Sequence, residues 1–91
     1  MSERVRRRVT VRGRVQGVFF RESVRRAAAS RGVSGWIANR ADGSVEAVFE
    51  GEPDAVERMV ALSREGPRGA RVAHVEVVAE PAEGISGFAI R

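Results

Sequence analysis

Between Val5 and Gly32 the apolar residues change their spacing, and that change fixes most of what the chain can become. Val5, Val9 and Val11 alternate with Arg6, Arg8, Thr10 and Arg12, the period of two that suits a strand with one buried and one wet face. Arg7 breaks the apolar row near the chain end. Beyond residue 20, Val24, Ala27 and Ala28 fall at helical spacing, with Arg25, Arg26 and Ser30 on other faces and Gly32 placed to stop the helix. Strand and helix meet in the short stretch Gly13-Arg14-Val15-Gln16-Gly17-Val18-Phe19-Phe20-Arg21.

The alternation then repeats. Val33 to Arg40 reads as a second strand, Ala41-Asp42-Gly43 as a tight turn, and Ser44 to Glu50 as its hairpin partner with Val45, Ala47 and Phe49 on one side. Pro53 and the acids around it open a second helix whose inner face is Val56, Met59, Val60 and Ser63, ended by Gly66-Pro67. Val72 to Glu80 is a strand with Ala73, Val75, Val77 and Ala79 in step, and Phe88 to Ile90 a short last one. The order β-α-β-β-α-β predicts an α+β, ferredoxin-like sandwich: two helices on one face of an antiparallel sheet, with a short extra C-terminal strand. Ile37 and Asn39 share the helix-covered face.

Ninety-one residues are expected to form a single domain over 1–91, which at this size buries roughly 60–65 % of the unfolded chain's surface. A hydrophobic fraction of 43 % with 31 % charged residues fits a globular chain rather than a disordered one. No apolar run approaches the ~20 residues of a membrane helix, and Met1 to Arg8 leads into no signal-peptide apolar region, so a cytoplasmic location is expected. The charge is uneven: residues 1–31 carry ten arginines against Glu3 and Glu22, whereas residues 32–91 carry six against ten acids. The first third should therefore be electropositive, with most of its arginines on one solvent face.

The strand-to-helix stretch is built to hold an anion. Gly13 and Gly17 allow tightly curved or left-handed backbone, so successive N–H groups can converge on one point. The start of the following helix adds unpaired N–H groups and the positive end of its dipole. Arg21 supplies a planar fork for two phosphate oxygens. In the first helical turn an arginine opposes the dipole by ~0.3–1 kcal/mol. A bound anion reverses that sign, because a unit charge pair at ~4 Å is worth roughly 4 kcal/mol at an effective dielectric near 20.

Several chemistries are excluded. The glycine spacing is not that of a nucleotide P-loop, and no lysine follows. The chain has no cysteine, and all 16 of its basic residues are arginine, which removes thiolate, Schiff-base and lysine-nucleophile mechanisms. One histidine, His74, alternates with Val72 and Glu76 on the face opposite its strand's apolar row and reads as solvated. It cannot assemble a transition-metal site, and the scattered acids have no calcium-loop spacing, so neither metal nor cofactor is expected. Trp36, Phe19 and Phe20 are expected to pack, and so few aromatics argue against a base-stacking surface and against a nucleic-acid partner.

Two stretches taken together carry a family resemblance. Gly13 to Arg21 resembles the first signature of the acylphosphatases, and Gly35-Trp36-Ile37-Ala38-Asn39-Arg40-Ala41-Asp42-Gly43-Ser44-Val45 resembles the second. Further similarity lies in Gly66 to Val72 and Gly87 to Arg91. The resemblance implies hydrolysis of acyl phosphates, with Arg21 and Asn39 catalytic. Arg14, Val15, Gln16, Gly17, Val18, Phe19, Phe20 and Arg21 would bind the phosphate, and the asparagine would orient the attacking water. On the residues alone, Asn39 would be a strand-end turn former, Gln16 either a loop brace or an exposed side chain, and Asp42-Gly43 turn formers without chemistry. The implied partners are a small-molecule acyl phosphate and inorganic phosphate as product and inhibitor, with no membrane and no nucleic acid. A monomer is the default, although nothing in the residues determines the oligomeric state.

A non-catalytic ferredoxin-like module is the competing expectation. For an RNA binder, the third-strand stretch Ser44 to Glu50 offers one Phe and two acids where paired aromatics are needed. A small-anion sensor would need only the loop and Arg21, and Asn39 is the residue that separates it from an enzyme.

Overall fold

The computed structural model describes residues 3–91. It contains strand β1 (Val5–Arg14), helix α1 (Phe20–Ser30), strands β2 (Ser34–Asn39) and β3 (Val45–Gly51), helix α2 (Pro53–Glu65), and strands β4 (Arg71–Glu80) and β5 (Phe88–Ile90). The strands form one sheet in the order β4-β1-β3-β2-β5. Both helices cover one face, where Val9, Val11, Ile37, Val45, Ala47 and Phe49 of the sheet meet Phe20, Val24 and Ala28 of α1 and Val56, Met59 and Val60 of α2. Each of these valine, isoleucine, phenylalanine and methionine side chains, once buried, contributes about 1.5–3 kcal/mol of transfer free energy, and the two alanines less. The inner face expected for α2 is the observed one, and Ser63 closes it by donating its hydroxyl to the Met59 carbonyl at 2.9 Å.

The sheet is mixed rather than wholly antiparallel, because β5 runs parallel to β2. β4 and β5 lie on opposite edges. Residues 81–87 pass from one edge to the other without climbing the sheet, so β5 starts at the end where β4 stops and runs alongside β2. Glu50, fully buried at the end of β3, holds that connection. Its carboxylate accepts the backbone N–H groups of Glu83, Gly84 and Ile85 at 2.9, 2.7 and 3.2 Å. Arg4 and Arg6 donate to it at 3.1 and 3.4 Å.

The arginine row of β1 is therefore not the free solvent face expected from its alternation. Register sets Arg6 between Glu50 on β3 and Glu80 on β4, and only 5 % of it is exposed. Arg8 pairs with Glu46 at 3.0 Å and Glu80 at 2.7 Å. These pairs raise the Arg8 guanidinium pKa, and bonds from Arg8 and then Arg6 lower that of Glu80. Four of the ten arginines of the first third, Arg4, Arg6, Arg8 and Arg12, thus meet carboxylates from distant parts of the chain, pairings that sequence distance concealed. Trp36 packs on this outer face beneath the guanidinium groups of Arg8 and Arg91, 5.6 and 4.6 Å from its ring centre.

β4 corrects a second expectation. Its register against β1 slips between Arg12 and Gly13, which face His74 and Val72, so that Ala73 is an extra, bulged residue. The bulge reverses parity and turns Val72 onto the core beside Val75 and Val77, away from the His74 face to which alternation assigned it. Ala73 and Ala79 are exposed on this edge strand. Gly13 is required here on two counts: its φ of +129° is one that side chains rarely adopt, and a Cβ on it would lie 2.2 Å from the Arg71 carbonyl oxygen.

Candidate active site

At one end of the sheet, β1, β2 and β5 finish and α1 begins. Val15, Gly17, Phe19, Phe20, Arg21, Glu22, Asn39 and Ile90 line a pocket of about 370 Å³ there, near the lower end of the size range of small-molecule sites. The loop between β1 and α1 is anchored underneath by Val15 and Phe20, both buried. Gly17 has φ +73° with open space around it, so its backbone conformation, not crowding, demands glycine.

Phe19 ends the loop with φ 59°, left-handed for a bulky residue. As the N-cap of α1 it offers no side-chain acceptor. The first i→i−4 bond of the helix is Ser23 N–H to the Phe19 carbonyl, 3.0 Å. The N–H groups of Phe20, Arg21 and Glu22 precede it and have no partner within the helix. Phe19 does not pack, contrary to expectation: the left-handed backbone turns its ring outward, and it is 83 % exposed.

Arg21 is half-buried and, among the described residues, forms no ion pair, whereas Arg4, Arg6, Arg8, Arg12, Arg25, Arg26 and Arg40 each have a carboxylate. Glu22, also on the pocket wall, is turned to Arg25 and Arg26, and the Arg25 hydrogen bond holds its carboxyl below the usual range.

Asn39 closes β2 opposite Val45. Its side-chain Oδ1 is buried and has no hydrogen-bond partner among the described residues, an arrangement that costs about 1–3 kcal/mol unless a group enters to bond it. Gln16 fixes the loop relative to this strand end. Its Nε2 donates to the carbonyls of Arg40 at 2.8 Å and Ser44 at 2.9 Å, so of the two readings of Gln16 the brace is correct. The hairpin is tightened in turn by Asp42, whose Oδ1 accepts the N–H and hydroxyl of Ser44 at 3.0 and 2.6 Å and whose Oδ2 accepts from Arg12 at 2.9 Å. The Ser44 bonds, then Arg12, hold the Asp42 carboxyl well below its ordinary pKa.

Of the residues expected to make the site, Val15, Gly17, Phe19, Phe20, Arg21 and Asn39 share the pocket, while Arg14, Gln16 and Val18 do not line it. Arg14 ends β1 opposite Arg71 and is exposed. Glu22 and Ile90 were not anticipated on the pocket wall. Glu22 carried a signal, its spacing to Arg25 and Arg26. Ile90 carried none, because it arrives through the parallel pairing of β5 with β2. No three His, Asp or Glu side chains among the described residues gather as a metal-binding cluster. No helix among them is long and apolar enough to cross a membrane.

The sequence model of the acylphosphatase family matches residues 7–90. An acylphosphatase of Rubrobacter xylanophilus is 59 % identical over 85 residues, covering 92 % of this chain and 77 % of its own. One of Natronomonas pharaonis is 48 % identical over 91 residues, covering 100 % and 99 %. The solved structure of an acylphosphatase from Coxiella burnetii superimposes with a TM-score of 0.91 at 41 % identity, covering 97 % of this chain and 93 % of that one.

Proposed function

Because this chain belongs to the acylphosphatase family and hydrolyses acyl phosphates to a carboxylate and phosphate, we propose that Arg21 and the loop hold the phosphoryl group while Asn39 aims the attacking water. The loop backbone at Val15, Gly17 and Phe19, the open first turn of α1 and the Arg21 fork offer the phosphoryl oxygens donors and positive charge. Asn39 can donate to and accept from a water, leaving a lone pair of that water directed at phosphorus.

The observation that carries this reading is the buried, unpartnered Asn39 Oδ1 in the same pocket as the uncapped start of α1 and the unpaired Arg21. A sensor of phosphate alone gives that oxygen nothing to do. The pocket's one carboxylate, Glu22, is engaged by two arginines, and the reading gives it no role as a base. Phosphoryl transfer through a loose transition state asks for positioning and charge stabilisation rather than strong base catalysis. The leaving carboxylate, whose conjugate acid has a pKa of about 4, departs without a proton.

The reading includes competitive inhibition by inorganic phosphate and a single-domain monomer in the cytoplasm, the single domain being supported by one sheet and one core. Its test is phosphate release from acetyl and benzoyl phosphate compared with alkyl and aryl phosphate monoesters. The acyl phosphates should turn over and the esters hardly at all, since no acid is provided for an alkoxide. Equal rates on both classes would sink the mechanism.

A further inference from the structure

The pocket lining combines polar groups, which the mechanism above uses, with exposed apolar side chains, which it does not. Among the described residues three large hydrophobic side chains are exposed: Phe19 at 83 %, Val78 at 51 % and Ile90 at 38 %. Two of the three, Phe19 and Ile90, line this one pocket although they come from opposite ends of the sequence. Phe19 is unfavourable for stability twice over. Its ring is left in water, and its left-handed backbone is strained for a non-glycine residue. Asparagine or glycine would take the same backbone conformation at lower cost and cap the helix besides. Ile90 reaches the pocket only because β5 pairs with β2, with Ile90 opposite Ile37.

We propose that Phe19 and Ile90 form an apolar platform for the acyl group, so that acyl phosphates bearing an aromatic or branched apolar group are favoured over acetyl phosphate. The inference rests on the phosphoryl group lying at Arg21 and the loop. A substrate held there by its phosphate has its acyl end left to contact whatever else lines the pocket, and since Val15 and Phe20 are buried beneath the loop, the exposed apolar part of that lining is Phe19 and Ile90. A phenyl ring can stack offset or edge-on against Phe19, whereas a methyl group covers little of it.

The experiment compares kcat/KM for benzoyl and acetyl phosphate in the parent and in Phe19→Asn, Phe19→Leu and Ile90→Ser. Phe19→Asn keeps a residue that tolerates the left-handed backbone while removing the ring. Its benzoyl-to-acetyl ratio should fall roughly tenfold, equivalent to about 1.4 kcal/mol, which roughly 55 Å² of lost apolar contact supplies. Ile90→Ser should lower the ratio several-fold, and Phe19→Leu should hold it within about twofold of the parent. Unchanged ratios in both Phe19→Asn and Ile90→Ser would overturn the platform and leave the hydrolytic reading standing. A parent that hydrolyses neither acyl phosphate would overturn the hydrolytic reading itself.

Discussion

Replacing Glu50 by glutamine tests how the far end of the sheet is held. In the folded chain this carboxylate has no exposed surface and accepts five hydrogen bonds, three from the backbone of the β4–β5 connection and two from arginines. Burial by itself would push the carboxyl pKa up, but the Glu83 N–H, Arg4, the Gly84 N–H and Arg6 together outweigh it and hold the group at about 2 against an ordinary 4.5. That gap corresponds to about 3 kcal/mol of folding free energy. Because the folded pKa is depressed, the stabilisation is complete above the unfolded value of 4.5 and is lost as pH falls towards 2. Glutamine leaves buried Arg6 with less compensating charge and sets an N–H₂ where only acceptors fit. Urea unfolding at pH 7 should show Glu50→Gln less stable by about 3 kcal/mol, with Tm lower by roughly 12–24 °C. Repeated at steps down to pH 2, the difference between parent and variant should close. A difference below about 1 kcal/mol at pH 7, or one that stays constant across that range, would refute the electrostatic account.

Asn39→Ala should lower kcat for acyl phosphates by roughly 10²–10³-fold while inhibition by inorganic phosphate is retained. A folded variant with the parent's rate would reduce Asn39 to a strand-end residue, with thermal unfolding as the control. Arg21→Lys keeps the charge but loses the bidentate fork, so both kcat and phosphate inhibition should weaken by roughly tenfold or more. Near-parent values in steady-state kinetics would mean that the loop amides bind the substrate without it.

The sequence by itself determined the elements and their order. Period-two and period-3.6 spacing depend only on neighbours along the chain, and Asp42-Gly43, Pro53 and Gly66 punctuate them locally. The inner face of α2, the hairpin and the strand-loop-helix that presents Arg21 were legible for that reason. The two signature stretches marked Arg21 and Asn39, but their separation in sequence says nothing of their sharing a pocket. Tertiary structure decided what depends on strands meeting from distant parts of the chain. It set Arg6 between Glu50 and Glu80, turned Val72 inward through a bulge opposite Gly13, and made the sheet mixed by carrying β5 to the far edge. It also brought Ile90 to Phe19 at the pocket. Local spacing records which way a side chain points within its own element, whereas register and edge choice are settled by the summed energies of packing and pairing between elements, which no single segment encodes.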